Sequence, residues 1–519
     1  MAMLFIDYFD KGAAAFPDRH FVHDGENGWT YRDMKALTHR IANGLVASGL
    51  GPDAAVATYA PNHPMGLACQ YGILRAGMVW LPVNARNSVH ENIEVLRLLE
   101  ARFLFFHSSI AADVPGILEA VPSIRGCVCI DAPAAGAASL NDWVEDHGTD
   151  RPYFAKTPQD VASMPTTSGT TGRPKGVMLT HENWEAMVAA YQIVMRLEEP
   201  PVHIVAAPLT HAAGYLSATM LSVGGTNVIL PRPDPLLIME AIDRHRGTAL
   251  FLPPTVIYSM LAHPRLRDFD YSSLRFFLYG GAPMSVQKLR EAIDVFGPVM
   301  AQTYGQTEAP MTATLFTPRD HVQALADPAL AKRLWSAGRE GPLVRTEIMD
   351  DDGNLLPAGE RGEVVCRGSV VMKGYYRNEQ ATADVSTAGW HRTGDIGVKD
   401  EDGFVYIVDR KKDMIITGGF NVYPTEVEQV LWTHAAVQDC AVVGAPDEKW
   451  GEAVTAVIEV KPGMQADEAE LIALCKERLG SVKAPKRIEV WPALPRSAVG
   501  KVLKREIRRK FWEGRERVI

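Results

Sequence analysis

The sequence predicts an α/β fold followed by a smaller C-terminal portion, and three observations lead to this prediction. In the first third, segments with apolar residues at helical spacing alternate with short apolar runs, as in parallel α/β layers. Between residues 341 and 402, short β-type runs are separated by Gly/Asp turns, a pattern typical of antiparallel structure. After the charged run at 411–413 helix and strand patterns alternate again, so we place a domain boundary after residue 410.

The elements of the first third follow from the spacing of apolar residues. Helical spacing predicts one helix over residues 32–49 and another over residues 67–74. The small-residue run at 131–139 predicts a loop. Short apolar runs predict buried strands at residues 54–60, 78–83, 103–106 and 127–130.

The same kinds of pattern predict the helices and strands of the second half of the chain. Its β segment contains predicted strands at 346–349, 362–367 and 404–410. The C-terminal portion is predicted to contain helices at 425–432 and 467–479, and strands at 439–443 and 453–460.

Composition limits the class of protein. A chain of 519 residues with 47% hydrophobic residues can form two or more domains with sizeable cores. The formal net charge of −9 implies no general attraction to nucleic acid or to an anionic membrane. We find no signal peptide and no transmembrane run of about 20 apolar residues. The six cysteines form no C-x-x-C pair, which is typical of reduced structural thiols in a cytoplasmic protein.

The run MPTTSGTTGRPKGVMLTHEN at 164–183 is the most informative motif. Gly169 and Gly172 allow a tight turn that approaches a ligand closely, and Lys175 supplies a cation. It is not a Walker A loop, because the second Gly and the Mg²⁺-binding hydroxyl of G-x-x-x-x-G-K-[ST] are missing around Lys175. A surface turn has a similar composition, but the run also offers hydroxyl donors for a polyphosphate at Thr167, Ser168, Thr170 and Thr171.

Six further motifs follow, and each alone is compatible with an ordinary turn. Two of them could contact a nucleobase or Mg²⁺, namely YGGAP at 279–283 and YGQTE at 304–308. Asp395 in HRTGD and Arg410 in VDR could bind a sugar or a phosphate. The remaining two are GGFNVYP at 418–424, with paired glycines, and RSAVGKVLK at 496–504, which contains Lys501.

The order of these motifs along one chain resembles that of the adenylate-forming superfamily, which includes acyl-CoA synthetases, luciferases and peptide-synthetase adenylation domains. The resemblance extends from about residue 10 to the C-terminus. It implies a large N-terminal domain (1–410) of two α/β lobes plus a small β-barrel. It also implies a small, mobile α+β C-terminal lid domain (411–519), with a hinge near Lys412.

The resemblance implies a reaction in two steps. A carboxylate first attacks the α-phosphate of ATP to give an acyl-adenylate and pyrophosphate, and the thiol of coenzyme A then displaces AMP. By resemblance, Lys175 holds the β- and γ-phosphates, Thr307 lies near the α-phosphate, and Glu308 binds Mg²⁺. Lys501 bridges the carboxylate and the α-phosphate as charge develops.

The remaining roles are also carried over from the resemblance. Tyr304 would stack on adenine, while Asp395 and Arg410 would bind the ribose. In the second step the Gly418–Gly419 loop would line the pantetheine tunnel and Trp450 would border coenzyme A. The full nucleotide and cofactor set is Thr167, Ser168, Gly169, Thr170, Thr171, Gly172, Gly281, Ala282, Pro283, Tyr304, Gly305, Gln306, Asp395, Ile407, Arg410, Gly418, Gly419 and Trp450.

The acid pocket is expected around the segment 208–216. That segment lacks the Asp with which α-amino-acid-adenylating domains bind their substrate, which argues against a free amino acid. Small residues leave room for either an aryl ring or an alkyl chain, so fatty and aromatic (benzoate- or cinnamate-like) acids both stay open. The predicted acid-binding residues are His211, Gly214, Tyr215, Gly280, Gln302 and Met311.

The sequence therefore predicts an AMP-forming carboxylate–CoA ligase, and other functions compete with it. An enzyme that loads the acyl group onto a carrier protein would differ only in its acceptor, and a luciferase-type oxidase would consume oxygen. A binding protein with inactive chemistry would lack adenylation, and a P-loop NTPase would release ADP. The resemblance leaves a homodimer open.

Overall fold

The computed structural model describes residues 3–150, 152, 154–168, 174–197, 199–447, 449–497 and 502–513, with only the backbone at residue 168. Its helices are Phe5–Ala15 (α1), Tyr31–Ala47 (α2), Pro64–Arg75 (α3), Val89–Leu98 (α4), Val114–Ala120 (α5), Leu140–Val144 (α6), His181–Met195 (α7), Ala212–Thr219 (α8), Pro235–Arg244 (α9), Pro254–Leu261 (α10), Val286–Phe296 (α11), Pro318–Ala326 (α12), Glu379–Asp384 (α13), Pro424–Leu431 (α14), Glu468–Lys483 (α15) and Lys504–Trp512 (α16).

The strands are shorter and pair into four sheets. They are His20–His23 (β1), Gly28–Thr30 (β2), Ala55–Ala60 (β3), Val79–Asn84 (β4), Phe103–Phe106 (β5), Cys127–Cys129 (β6), Val161–Ser163 (β7), Thr166–Ser168 (β8), Pro174–Thr180 (β9), Val202–Val205 (β10), Thr226–Ile229 (β11), Ala249–Leu252 (β12), Phe276–Gly280 (β13), Met300–Gln306 (β14), Ala309–Phe316 (β15), Arg339–Glu340 (β16), Val344–Met349 (β17), Arg361–Gly368 (β18), Gly374–Tyr375 (β19), Ser386–Thr387 (β20), Trp390–Lys399 (β21), Val405–Arg410 (β22), Ile415–Thr417 (β23), Phe420–Val422 (β24), Val437–Asp447 (β25), Gly451–Val460 (β26) and Arg487–Val490 (β27).

Two large sheets form the first part of the molecule, and each has a parallel centre. One runs in the order β16-β15-β14-β13-β12-β10-β11-β1-β2, with parallel pairing from β14 to β1. The other runs β19-β9-β7-β4-β3-β5-β6, with β8 paired to β9 and parallel pairing from β7 to β6. These sheets confirm the predicted α/β fold of the large N-terminal part.

The third sheet is antiparallel and occupies the part of the chain where the sequence predicts an antiparallel β segment. Strands β17, β18, β21 and β20 follow one another, and β22 pairs with β21. The fourth sheet, β24-β23-β26-β25 with β27 beside β26, belongs to the C-terminal part.

Apolar packing divides near the predicted boundary. The two C-terminal clusters of buried residues draw their members from Ile415 onward, including Val427, Val442 and Ile507. A small cluster on the third sheet contains Val405 and extends no further than Ile407. The boundary after residue 410 stays a prediction, and the separate cores support it.

The predicted elements differ from the observed ones mainly at their ends. Helix α2 begins one residue earlier, at Tyr31, where Thr30 and Asp33 form a capping box, and it ends before Gly49, whose φ of +76° stops a helix. Lys175, expected in a loop, lies on strand β9.

None of the described helices combines the length and the apolar character that a membrane span needs. All six cysteines are free thiols; Cys127 is half-buried and the others are buried.

Candidate active site

Three predicted motifs follow the carboxyl ends of parallel strands in the first sheet. Gly280 ends β13, and the segment 304–308 ends β14, where Gly280 pairs with Thr303 across the two strands. The segment 208–216 follows β10, which is separated from β13 by β12 alone. Because ligands of open α/β sheets bind beyond the carboxyl ends of the strands, this edge is the expected place for a site.

Glycine occupies positions in these motifs for different structural reasons. A Cβ on Gly280 would lie 2.4 Å from the Thr303 carbonyl oxygen, and one on Gly305 would lie 2.4 Å from the Met311 backbone nitrogen. Gly281 has φ of +78° and no heavy atom within 4 Å of its Cβ position. The backbone at 281–283, which includes Ala282 and Pro283, therefore borders open space that a flat base could occupy.

The predicted base and ribose residues form one hydrogen-bonded group. The Tyr304 hydroxyl donates to Asp395 Oδ2 at 2.6 Å, and Gln306 Nε2 donates to the same oxygen at 3.1 Å. Arg410 Nε lies 3.2 Å from Asp395 Oδ1, because the two residues are paired across β21 and β22. Tyr304 also packs against the apolar cluster that includes Ile407. Burial and the Asp395 charge raise the pKa of Tyr304, so its hydroxyl stays a donor.

Lys175 and Glu308 are joined through a residue that the sequence analysis did not single out. The Tyr375 hydroxyl donates to Glu308 Oε1 at 2.7 Å, and Lys175 Nζ lies 4.7 Å from the centre of the Tyr375 ring. Glu308 is buried, while Lys175 is partly exposed. The nearest signal in the sequence was Gly-Tyr-Tyr at 374–376, which by itself reads as an ordinary turn.

Tyr375 belongs to a segment that contacts both sides of the site, and we call residues 368–376 the strap. The Met372 backbone N–H donates to the Glu308 carbonyl at 2.7 Å. Tyr375 pairs with Val177 of β9, and the Tyr376 N–H donates to the Gly176 carbonyl at 2.8 Å. The strap therefore fixes the strand of Lys175 relative to the turn of Glu308.

The residues fit a magnesium ion that is bound together with a nucleotide. No group of three or more His, Cys, Asp or Glu side chains suited to a metal occurs in the part of the chain that the structure describes. Mg²⁺ commonly uses one carboxylate plus substrate phosphates, and Glu308 beside Lys175 supplies such a carboxylate. Thr307 lies next to it in the turn between β14 and β15.

The predicted acid-binding residues lie around the start of α8. His211 precedes the helix, and its Nδ1 lies 2.8 Å from the Thr210 hydroxyl. Burial, helped by the charge of Arg86, lowers the pKa of His211 to about 4, so its ring is neutral at pH 7. A narrow cleft there is too small in this structure to hold a water molecule, and it is lined by Trp80, Pro82, Ser163, Pro165, Trp184, Leu209, Thr210, His211 and Tyr215.

Gly214 is small for a reason other than the one expected. A Cβ at this position would lie 1.8 Å from the Leu209 carbonyl oxygen, so the glycine is required by packing at the helix start. Gln302 and Met311 lie on β14 and β15, and the Thr303 hydroxyl donates to the Met311 carbonyl. Contact of these residues with an acid stays a prediction.

The predicted coenzyme A residues lie apart, on the fourth sheet. The Gly418 N–H donates to the Trp450 carbonyl at 2.9 Å, and Trp450 is 41% exposed. Gly418 and Gly419 have φ of +56° and +83°, conformations that favour glycine. Within the described ranges, no hydrogen bond joins 415–422 to β13, β14 or β21.

Some predicted residues lie outside the described ranges, namely Gly169, Thr170, Thr171, Gly172 and Lys501. Two described residues on either side of Lys501, Arg496 and Val502, form an antiparallel bridge. Arg496 lies 2.7 Å from Asp439, and Lys504 lies 2.8 Å from the buried Glu428. The candidate for the catalytic lysine is therefore flanked by two ion-paired residues.

Comparison with known families shows to which family the chain belongs. The family model described as AMP-binding enzyme matches residues 9–376, and the model described as AMP-binding enzyme C-terminal domain matches residues 426–501. The chain belongs to the AMP-binding enzyme family, which confirms the resemblance to adenylate-forming enzymes.

Individual relatives match more than nine-tenths of the chain. A feruloyl-CoA synthase from Amycolatopsis is 37% identical over 96% of this chain and 98% of its own length. A fatty acid–[acyl-carrier-protein] ligase from Streptomyces coeruleorubidus is 34% identical over 93% of this chain and 92% of its length. Among solved structures, the amide bond synthetase McbA from Marinactinospora thermotolerans has a TM-score of 0.89 and 32% identity, covering 98% of this chain and 100% of that one.

Proposed function

We propose that the protein is an ATP-dependent carboxylate–CoA ligase that forms an acyl-adenylate and then an acyl-CoA thioester. The observation that carries this proposal is the contact chain from Lys175 through Tyr375 to Glu308, beside the group around Asp395. It places a cation and a buried carboxylate next to hydrogen-bonding groups suited to a nucleoside. The family match and the CoA ligase among the relatives support the same reaction.

In the first step, a carboxylate oxygen of the acid attacks the α-phosphorus of ATP and the bond to the bridging oxygen breaks, releasing pyrophosphate. Lys175 binds the departing phosphates, and Glu308 holds Mg²⁺, which neutralises phosphate charge when bound. Asp395 and Arg410 hold the sugar, and Tyr304 lies against the base. Lys501 approaches the α-phosphate, and losing such a contact costs roughly 10²–10³ in rate.

In the second step, the thiolate sulfur of coenzyme A attacks the acyl carbon and the bond to the phosphate oxygen breaks, releasing AMP. The Gly418–Gly419 turn and Trp450 are proposed to contact coenzyme A. We propose that residues 411–519 rotate about Lys412 before this step.

The acid is proposed to be aromatic or fatty. Trp80, Trp184 and Tyr215 give the cleft beside His211 an aromatic lining, and the Trp184 and Tyr215 ring centres are 4.9 Å apart. The neutral His211 adds no charge that would favour a second carboxylate on the acid. We further propose a cytoplasmic location, which the free cysteines support.

A carrier protein is the alternative acceptor, because one relative is named as a carrier-protein ligase. Activity with a phosphopantetheinylated carrier protein and none with coenzyme A would select it. The adenylation step and the residues proposed for it would be unchanged.

The test is a panel of fatty, benzoic and cinnamic acids with ATP, Mg²⁺ and coenzyme A, read by mass spectrometry for AMP, adenylate and thioester. We expect AMP and a thioester with one class of acid. Lys501→Ala is the matched control and should lose adenylate formation while still binding ATP. Absence of AMP with every acid and both acceptors would refute the proposal.

A further inference from the structure

Tyr375 lies between the two charged groups proposed to handle the phosphates. Its hydroxyl donates to one Glu308 oxygen at 2.7 Å, and its ring faces Lys175 Nζ at 4.7 Å. The side chain is buried, and its backbone N–H donates to the Thr382 hydroxyl at 2.9 Å. The position of the phenol is therefore fixed by the strap and by helix α13.

We infer that Tyr375 is a positioning residue for the metal–nucleotide site: its hydroxyl sets the orientation of the Glu308 carboxylate, and its ring holds Lys175 over the phosphate position. This inference rests on the proposed roles of Glu308 and Lys175. Tyr375 is argued to act through these two side chains, which it contacts directly.

The hydrogen bond determines which carboxylate oxygen is available. The phenol occupies Glu308 Oε1, and the Met372 N–H holds the backbone carbonyl of the same residue at 2.7 Å. With Oε1 held by the phenol, Glu308 would bind Mg²⁺ through Oε2.

The ring has a second and separate effect. An ammonium group above an aromatic face is attracted by the electron-rich ring. Since Lys175 is the second residue of β9, directly after Pro174, the ring restrains a long side chain whose backbone is already fixed. A residue of similar size without an aromatic ring would leave Lys175 free to adopt other rotamers.

Two substitutions separate these effects. Tyr375→Phe keeps the ring and removes the hydroxyl, whereas Tyr375→Leu removes both. Tyr376→Phe is the matched control, because the Tyr376 hydroxyl points to Glu100 and lies 3.3 Å from it. Folding of each variant is checked by its thermal unfolding midpoint.

The first measurement is Mn²⁺ affinity, by electron paramagnetic resonance, in the presence of a non-hydrolysable ATP analogue. We expect Tyr375→Phe to bind Mn²⁺ roughly tenfold more weakly, as for loss of a hydrogen bond to a charged group. Metal-free binding of the analogue, by calorimetry, should be unchanged in Tyr375→Phe and about threefold weaker in Tyr375→Leu. Tyr376→Phe should equal the wild type in both.

A double-mutant cycle tests whether Tyr375 acts through Glu308. Combined with Glu308→Gln, Tyr375→Phe should cause little further loss, because its effect acts through the carboxylate. Additive losses, or a Tyr375→Phe protein with wild-type Mn²⁺ affinity, would overturn the inference. If the wild type adenylates no acid, the proposed function fails, yet the Mn²⁺ comparison still decides the role of Tyr375.

Discussion

At the scale of single residues, several histidines are held neutral by burial. Burial is the main cause that lowers the pKa to about 4 at His181, His203, His211 and His321. His203 is fully buried, and its Nδ1 lies 3.0 Å from Asn227 Oδ1. In an unfolded chain the same rings would titrate near pH 6.5.

This difference predicts acid sensitivity of the fold. Because the pKa is lower in the folded protein, unfolding is accompanied by proton binding between pH 6.5 and pH 4. The contribution of these neutral histidines to the free energy of unfolding is therefore fully present above pH 6.5 and is lost as the pH falls toward 4. His203→Gln should reduce the slope of unfolding free energy against pH by up to about 1.4 kcal/mol per unit. Chemical denaturation across this range measures the slope. The exposed His90→Gln is the control, and equal slopes for the two variants would contradict the prediction.

The sequence could identify individual charged residues but not their partners. Asp395 and Glu308 were named as a ribose and a metal ligand, and the structure adds that phenols donate to both. Tyr375 lies 67 residues from Glu308 along the chain, so no local pattern could reveal the contact. The charge, size and order of the motifs were sufficient to predict the class of site. The contacts that support its residues could be identified only from the folded structure.

At the scale of elements, close packing decides where glycine is required. Helix α8 begins against the Leu209 carbonyl, and only the missing Cβ of Gly214 permits that approach. Gly66 in helix α3 has no heavy atom within 4 Å of its Cβ position. A glycine looks the same in the sequence in either setting, so the sequence indicates room at Gly214 and only the structure shows that it is tightly packed.

The two positions predict opposite effects of the same change. Gly214→Ala should lower the thermal midpoint by several degrees and weaken acid binding, because α8 has to move away from Leu209. Gly66→Ala should be neutral or stabilising by up to about 1 kcal/mol, since alanine favours the helix. Scanning calorimetry of the two variants makes the comparison. A Gly214→Ala protein as stable as Gly66→Ala would show that the helix start is not tightly packed.

At the scale of the whole molecule, ion pairs join the N-terminal part to the C-terminal part. Arg361 of β18 lies 3.1 Å from Glu426 of α14, and its guanidinium stacks over Tyr423. Lys411, beside the proposed hinge, lies 2.6 Å from Asp351. These contacts belong to one arrangement of the two parts, and they are partly exposed.

Removing such a contact should change the rates of the two half-reactions, adenylation and thioester formation, in opposite directions. Arg361→Ala removes a pair worth at most about 1 kcal/mol, so each rate should change no more than about fivefold. Single-turnover quench experiments, starting from free acid or from preformed adenylate, measure the two rates. Arg345→Ala, which breaks a pair within strand β17, is the control. Equal slowing of both steps would indicate general damage instead.

The register of β21 and β22 has a consequence for the intermediate. Asp395 and Arg410 face each other in one sheet, and both precede Lys412. A rotation about Lys412 therefore leaves both proposed sugar contacts in place. The mixed anhydride made in the first step need not dissociate before the thiol arrives, which limits its loss by hydrolysis in bulk water.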